Sequence, residues 1–241
     1  MKLQQVMSYV RRALDDYQMI SEGDKIAIGL SGGKDSLTLL HALSGLSRFY
    51  PKHFTLHAVT VDLGFQNLNL ERIRALCQEL GVAYTVIPTD IAQIVFEQRQ
   101  ETNPCSLCAK MRKGALNQAM KEIGCTKIAY AHHKDDVVET MLMSLLYEGR
   151  IHTFAPVTHL DRVDLTVIRP MLYMNEVDVI GFVNKYQLPV VKSPCPVDGH
   201  TKREYIKQLL ASLNRENPGV KQRIFTAITQ GIFMKEHATE T

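Results

Sequence analysis

Two periods alternate in the apolar residues of this chain, and each change of period marks an element. Over residues 3–19, Val6, Val10, Ala13, Leu14 and Tyr17 recur at helical spacing, and Ser21-Glu22-Gly23-Asp24 ends the segment. A short β-prone run, Lys25-Ile26-Ala27-Ile28-Gly29-Leu30, follows, then a polar glycine pair, then Leu37, Leu40, Leu43 and Leu46 on much of one helical surface. The spacing predicts a second strand over 54–62, a helix burying Ile73, Leu76, Cys77 and Leu80 that stops at Gly81, and a third strand over 84–88. Residues 93–104 are mostly polar and close on Asn103-Pro104, which predicts a loop. Beyond it come a helix with Met111, Leu116, Met120 and Ile123 along one side, a fourth strand over 127–131, and a helix carrying Val137, Met141, Leu142 and Leu145. A fifth strand is expected over 166–171, ended by Pro170, and Asn175 is expected to cap a helix with Glu176 and Asp178 in its first turn. Thr201 and Glu204 have the spacing of a capping box, ahead of a helix with Tyr205, Leu209, Leu210 and Leu213. Asn217-Pro218-Gly219 breaks that helix, and Val220, Ile224 and Ile228 outline a last one.

Strand and helix alternate through the first four-fifths of the chain, which predicts an α/β fold: a doubly wound, mainly parallel sheet with helices on both faces. Two helices without a strand end the chain as a short C-terminal helical appendage, so the expected division is 1–192 and 193–241. The length of 241 residues suits one domain with such an appendage, and 45% hydrophobic residues suffice for its core. Lys and Arg number 28 against 25 Asp and Glu, a formal charge of +3 that by itself indicates no nucleic-acid partner. With neither an apolar leader nor a membrane-length run, a cytoplasmic protein without membrane contact is expected. In a reducing compartment its five cysteines read as metal ligands, redox groups or small core residues, not disulfides.

The chemistry concentrates where elements change. In Ser31-Gly32-Gly33-Lys34-Asp35-Ser36, two residues without β-carbons let an anion approach the backbone, two hydroxyls add donors, and the helix that follows adds its N-terminal N–H groups. This is a phosphate loop of a particular kind. Only three residues separate Gly29 from Gly33-Lys34 and Asp35 follows the lysine, so it is not a Walker A loop; nor is there a dinucleotide glycine fingerprint. Asp62, at the end of the second strand, stands at the ligand edge of such a sheet, as a nucleotide contact or as a solvated loop residue. His132-His133-Lys134-Asp135-Asp136 ends the fourth strand. Asp135 or Asp136 could simply cap the next helix, but the histidines ahead of them favour a functional edge, with metal or phosphate contacts from the aspartates and a proton contact from His132 or His133.

Cys105 and Cys108 form a Cys-x-x-Cys pair, and Cys195 lies in the turn Ser193-Pro194-Cys195-Pro196. Such a pair suits zinc, an iron–sulfur cluster or a redox couple; zinc would draw on His200 or, less well, Asp198. Cys77 falls on an apolar stripe and Cys125 in a helix-to-strand turn, so both read as structural. Lys202, Arg203, Lys207, Arg215, Lys221 and Arg223 outnumber the acids of the C-terminal helices, which is either a solvated face or a surface for a phosphate backbone.

The Ser-Gly-Gly-x-Asp-Ser loop resembles the PP-loop of enzymes that split ATP between its α and β phosphates. Taken with Cys105-Ser106-Leu107-Cys108-Ala109-Lys110-Met111-Arg112-Lys113-Gly114, the His132–Asp136 run, and Arg169-Pro170 through Pro194-Cys195, the chain resembles the tRNA 2-thiocytidine biosynthesis family. The resemblance implies adenylation of the 2-carbonyl oxygen of a cytidine in the anticodon loop, followed by its replacement with sulfur. It implies ATP held by Ser31, Gly32, Gly33, Lys34, Asp35 and Ser36 with Asp62, Mg²⁺, and a [4Fe-4S] cluster on Cys105, Cys108 and Cys195. Asp35, His132, His133, Asp135 and Asp136 are the expected catalytic residues. The implied partners are tRNA, met across Lys110, Arg112, Lys113 and the basic C-terminal helices, and a sulfur donor such as a cysteine desulfurase or free sulfide; a homodimer is left open. The family's last segment is typically Cys-x-x-Cys, whereas here Asp198 takes the place of the second cysteine. A ligase of the lysidine-synthetase type with a structural zinc, or a nucleotide-binding module without turnover, are the alternative readings.

Overall fold

The computed structural model describes residues 1–65, 69–99, 104–191, 195 and 202–233. Its frame is a sheet of six strands in the order β3-β2-β1-β4-β6-β5. Strand β1 (Asp24–Gly29) pairs in parallel with β2 (Phe54–Asp62) on one side and with β4 (Lys127–Ala129) on the other. Beyond them, β3 (Ala83–Pro88) joins β2 and β6 (Leu165–Ile168) joins β4, again in parallel. Ile26, Ala27 and Ile28 of β1 are fully buried, the consequence of covering a parallel sheet on both faces. The chain runs outward from β1 to β3 and then crosses back to place β4 on the other side of β1. That reversal opens a crevice at the carboxyl ends of β1 and β4.

Helices α1 (Leu3–Asp16), α2 (Lys34–Leu46), α3 (Glu71–Glu79), α5 (Lys134–Glu148) and α6 (Glu176–Tyr186) all contribute to the larger buried cluster. Helix α2 packs against α1 and α6 as well as the sheet, so Leu37, Leu39, Leu40, Ala42, Leu43 and Leu46 are buried almost all round it. On the opposite face, α4 (Pro104–Ile123) sets Leu116 and Met120 over Ala27, Val59 and Ile128. Helices α7 (Lys202–Glu216) and α8 (Val220–Ile228) pack on α5 and add Ile206, Leu210, Phe225 and Ile228 to the larger cluster. The C-terminal helices therefore share the core of the sheet domain. Among the described residues no helix is long and apolar enough to cross a membrane. Cys77 and Cys125 are both buried, and burial pushes both thiols up, Cys77 to about 11.

Several boundaries differ from the sequence expectation. Residues 93–104 are not simply a loop: Gln93–Arg99 forms a wide π-helical segment anchored by the buried Val95, and α4 already begins at Pro104. A count of polar residues hid that single anchor. The fifth parallel strand stops at Ile168, two residues before Pro170, and is joined by an antiparallel strand, β5 (Val157–Leu160), that the pattern did not reveal. With four residues in which Thr158 and His159 interrupt the apolar ones, β5 is too short to show a period; its pairing is set by the turn at Asp164, whose φ is +51°. Thr201 lies outside the described residues, as do Pro194, Pro196, Asp198 and His200.

Phe182 is 1% exposed and meets His41 edge-on at 5.8 Å between ring centroids, on the contact of α6 with α2. Phe182→Ala should destabilise the fold by about 3–5 kcal/mol through reduced burial and a residual cavity, read as a lower urea midpoint at unchanged m-value. An unshifted midpoint would mean that α6 does not contribute to the cooperative core.

Candidate functional site

The crevice between β1 and β4 is lined by the two loops singled out in the sequence. After β1, Gly32 adopts φ +80°, and a β-carbon there would lie 2.9 Å from Ile73 Cδ1 and 3.3 Å from Val191 Cβ. Only glycine fits this position without displacing its neighbours. Ser31 Oγ accepts from Gly33 N at 3.3 Å, Ser36 Oγ donates to Gly33 O at 3.0 Å, and the two hydroxyls are 3.2 Å apart. The loop is thus folded on itself at the N-terminus of α2, with its backbone N–H groups at the positive end of the helix. A strap from the far end of the chain lies against it: Val191 N donates to Gly32 O at 3.0 Å, four residues before Cys195.

The β4 loop closes the other side. Asp136 Oδ2 accepts from His133 N at 3.0 Å and so caps α5. The His133 ring is buried, with Nε2 3.5 Å from Asp35 Oδ1 and Nδ1 3.4 Å from Asp136 Oδ2. One imidazole thus stands between a carboxylate from each loop. Asp35 and Asp136 remain partly exposed, at 31% and 23%. Asp135 has a different environment. It is buried, accepts Glu176 N at 2.7 Å at the start of α6, and pairs with Lys221 of α8. Its approach to the histidine is longer, 3.7 Å from His133 Nδ1. His132 is turned from this group into an aromatic pocket, stacked on Phe154 at 4.7 Å between centroids, and burial pushes it down to about 4. Asp62 accepts from Gly64 N at 2.9 Å within its own turn.

Glu176 joins the site from α6, although sequence reasoning saw in it only a first-turn acid. It lies 3.0 Å from Lys34 Nζ and 3.1 Å from Lys207 Nζ. Burial alone would raise its carboxyl, but the two lysines outweigh that and hold it at about 2. Lys34 also contacts Asp35 at 2.8 Å, and these two carboxylates raise its pKa against the effect of burial. No spacing rule links Glu176 to Lys34; its one signal was an acid following a capping asparagine, and that reads equally well as ordinary helix chemistry.

Three of the six basic residues singled out on the C-terminal helices are paired with acids inside the protein. Arg203 reaches Glu139 at 3.1 Å and Asp136 at 3.5 Å, Lys207 holds Glu176, and Lys221 holds Asp135. Their charge is used to dock α7 and α8 onto acids of α5 and α6. Lys202, Arg215 and Arg223 remain exposed on these helices, and Lys110, Arg112 and Lys113 are exposed on α4, after the cysteine pair. Arg99, Ser106, Leu107, Lys110 and Met111 line an open cleft of about 600 Å³ there.

Cys105 is exposed and Cys108 half-buried, in the first turns of α4. Burial raises the Cys108 thiol, the Arg112 guanidinium opposes the rise, and the nearby Cys195 and Cys105 add to it. The three thiols are electrostatic neighbours despite their separation in sequence. Among the described residues no three His, Cys, Asp or Glu side chains converge as ligands of one metal ion; His200 and Asp198, the candidates for a zinc site, lie outside the described residues. In a [4Fe-4S] cluster each iron takes its own thiolate, so neighbouring sulfurs need not meet at a point. Three cysteine thiols are a donor set that fits such a cluster.

Glu139, buried on α5 at 3.1 Å from Arg203, is pushed by burial up to about 7 from its ordinary 4.5, against the pull of Lys207 and Arg203. Its native form therefore binds a proton more tightly than the unfolded chain does. The stability it contributes is present below pH 4.5 and is lost as pH rises through 7. Glu139→Gln should flatten that segment of the stability profile in urea titrations; a variant whose pH profile parallels the parent's would contradict it.

Comparison with known proteins agrees with this geometry. A family model described as a PP-loop domain matches residues 4–213. The tRNA-cytidine(32) 2-sulfurtransferase of Geobacter sulfurreducens is 38% identical over 94% of this chain and 90% of its own, and that of Syntrophotalea carbinolica 38% identical over 90% and 85%. The U34-tRNA thiolase NcsA from Methanococcus maripaludis, solved with its [4Fe-4S] cluster, superposes with a TM-score of 0.77 at 26% identity, covering 92% of this chain and 76% of that one. An NH3-dependent NAD synthetase from Campylobacter jejuni shares the fold alone, at TM-score 0.51 and 18% identity over 93% of this chain and 92% of that one. With its phosphate loop, its cysteine pair and relatives matched over nearly their whole length, the chain belongs to the tRNA-cytidine 2-sulfurtransferase family of PP-loop proteins.

Proposed function

We infer that this chain is an ATP-dependent sulfurtransferase that acts on tRNA at the cytidine its relatives' name specifies, position 32. The observation that carries the reading is the link between phosphate loop and thiols: Val191 is bonded to Gly32 four residues before Cys195, and Cys195 acts on Cys108. Both observations support an adenylating centre and a sulfur-handling centre that share one crevice. In the reaction, the cytidine 2-carbonyl oxygen attacks the α-phosphorus of ATP and pyrophosphate leaves. Sulfide then adds at C2, and AMP departs with the original oxygen.

Each residue has a part that follows from its place. Gly32, Gly33, Ser31 and Ser36 present N–H and O–H donors to the phosphates. Lys34 offsets their charge. Asp35 and Asp136 are the partly exposed carboxylates facing the same space, the number Mg²⁺ takes when phosphates complete its shell. His133 keeps those two carboxylates apart and oriented, while Asp135 holds the starts of α5 and α6 in register. Cys105, Cys108 and Cys195 would hold a [4Fe-4S] cluster, which supplies an iron free of protein ligands to bind incoming sulfide. Closeness of the two centres lets sulfur reach the activated carbon ahead of water. The tRNA backbone is met by Lys110, Arg112 and Lys113 on α4.

The expected products are AMP and pyrophosphate; ADP and phosphate would overturn the reading, because the wrong bond would have broken. Nucleoside mass spectrometry of tRNA should lose 2-thiocytidine in cells lacking the protein, and pyrophosphate release without sulfur incorporation would point to a ligase. Anaerobically prepared protein should carry about four irons per chain. Cys105→Ser, Cys108→Ser or Cys195→Ser should abolish iron and thiolation, whereas Cys77→Ser and Cys125→Ser keep both. Stoichiometric zinc without iron in active protein would exclude the cluster. Replacing Lys110 and Lys113 together with Ala should weaken tRNA binding and flatten its log–log salt dependence by about 2, one for each phosphate no longer neutralised, with ATP affinity unchanged.

A further inference from the structure

The lysine of the phosphate loop is already engaged. Lys34 Nζ is 3.0 Å from Glu176 Oε1 and 2.8 Å from Asp35 Oδ2. Asp35 is its neighbour in sequence and moves with the loop, whereas Glu176 belongs to another element. Its backbone N–H is fixed by the Asp135 carboxylate at 2.7 Å, and its side chain by Lys207 Nζ at 3.2 and 3.1 Å from the two oxygens. Lys34, Asp35, Glu176 and Lys207 together carry no net charge, and a polyphosphate entering the loop brings several negative ones. Lys34 can bond that phosphate only by giving up a carboxylate. Giving up Glu176 strands nothing, because Lys207 still compensates it.

We propose that Glu176 is a positioning residue that holds Lys34 in reserve over the phosphate loop and yields it to the incoming triphosphate, with Lys207 setting how readily the exchange occurs. The inference rests on the reading of the loop as an ATP site. Two consequences have opposite signs. Without the Glu176 charge only Asp35, which moves with the loop, competes for Lys34, so ATP binds more tightly but finds the lysine unaimed. Without the Lys207 charge, Glu176 depends on Lys34 alone and holds it harder, so ATP binds less tightly. A merely structural tie between α6 and α7 predicts the same sign for both losses.

The test uses the full chain and α,β-methylene-ATP, in titration calorimetry that requires neither tRNA nor cluster. Glu176→Gln should lower the Kd and Lys207→Met raise it, each by about fivefold, the scale of one partly exposed ion pair. Lys207→Arg should bind as the parent does. In the Glu176→Gln background Lys207→Met should have no further effect, since the two act through one pair. In AMP formation Glu176→Gln should show a reduced kcat at an unraised KM for ATP. Shifts of the same sign in both variants, or none, would overturn the proposal. If Glu176→Gln does not fold, Lys207→Met against Lys207→Arg decides alone: equal affinities overturn the exchange, and weaker binding by the Met variant supports it. No binding by the parent chain would instead overturn the ATP site itself.

Discussion

Three residues of β4 beside β1 govern everything that happens at this site. Ile26, Ala27 and Ile28 are in register with Lys127, Ile128 and Ala129, and because both strands run the same way, both release their chains at the same edge. One release becomes the phosphate loop and the other the His132–Asp136 run. Had β4 joined the outer side of β3, its histidines would have been separated from Asp35 by two further strands, each adding about 4.8 Å. A contact of 3.5 Å between Asp35 and His133 is therefore a result of strand order.

Around that edge, charge does the work of assembly. Asp135, Glu139 and Glu176 are acids at the starts of two helices or buried within one, and each meets a lysine or arginine from α7 or α8. An acid buried without a partner would be costly, and a partner from a distant segment offsets that cost, more than fully at Glu176 and only in part at Glu139, while specifying where the segment must lie. The C-terminal helices are thus keyed to the crevice by ion pairs as well as by Ile206, Leu210 and Phe225. Arg203, Lys207 and Lys221 are thereby committed to the fold, while Lys110, Arg112 and Lys113 of α4 stay exposed.

How far the sequence could be read depended on how local each signal was. The phosphate loop, the histidine–aspartate run and the cysteine pair are contiguous, and so were visible as written. Parallel strands of five or more residues, such as β1, β2 and β3, showed themselves through apolar runs, while β5 was too short to. Glu176 and the partners of Arg203, Lys207 and Lys221 were hidden for another reason. A pairing between residues that meet only after the sheet has formed leaves no period, so the same basic helices read equally as an open face or as docked ones. The role of Asp135 was obscured by its neighbour: two adjacent aspartates look alike in a sequence, although one faces His133 and the other meets Glu176 N and Lys221.

The bond from Val191 to Gly32 also bears on the order in which the molecule can be made. Cys105 and Cys108 are one helical turn apart and come together as soon as α4 forms. Cys195 has no such local route. Its approach is guided by a strap whose anchor, the carbonyl of Gly32, is in position only after β1 and α2 have packed, and Val191 is among the last parts of the sheet domain to be synthesised. Contacts of such long sequence separation form late in folding. The meeting of the three cysteines is accordingly a product of the finished α/β domain and not a nucleus for it, so a nascent chain presents the Cys105–Cys108 pair well before Cys195 can join it.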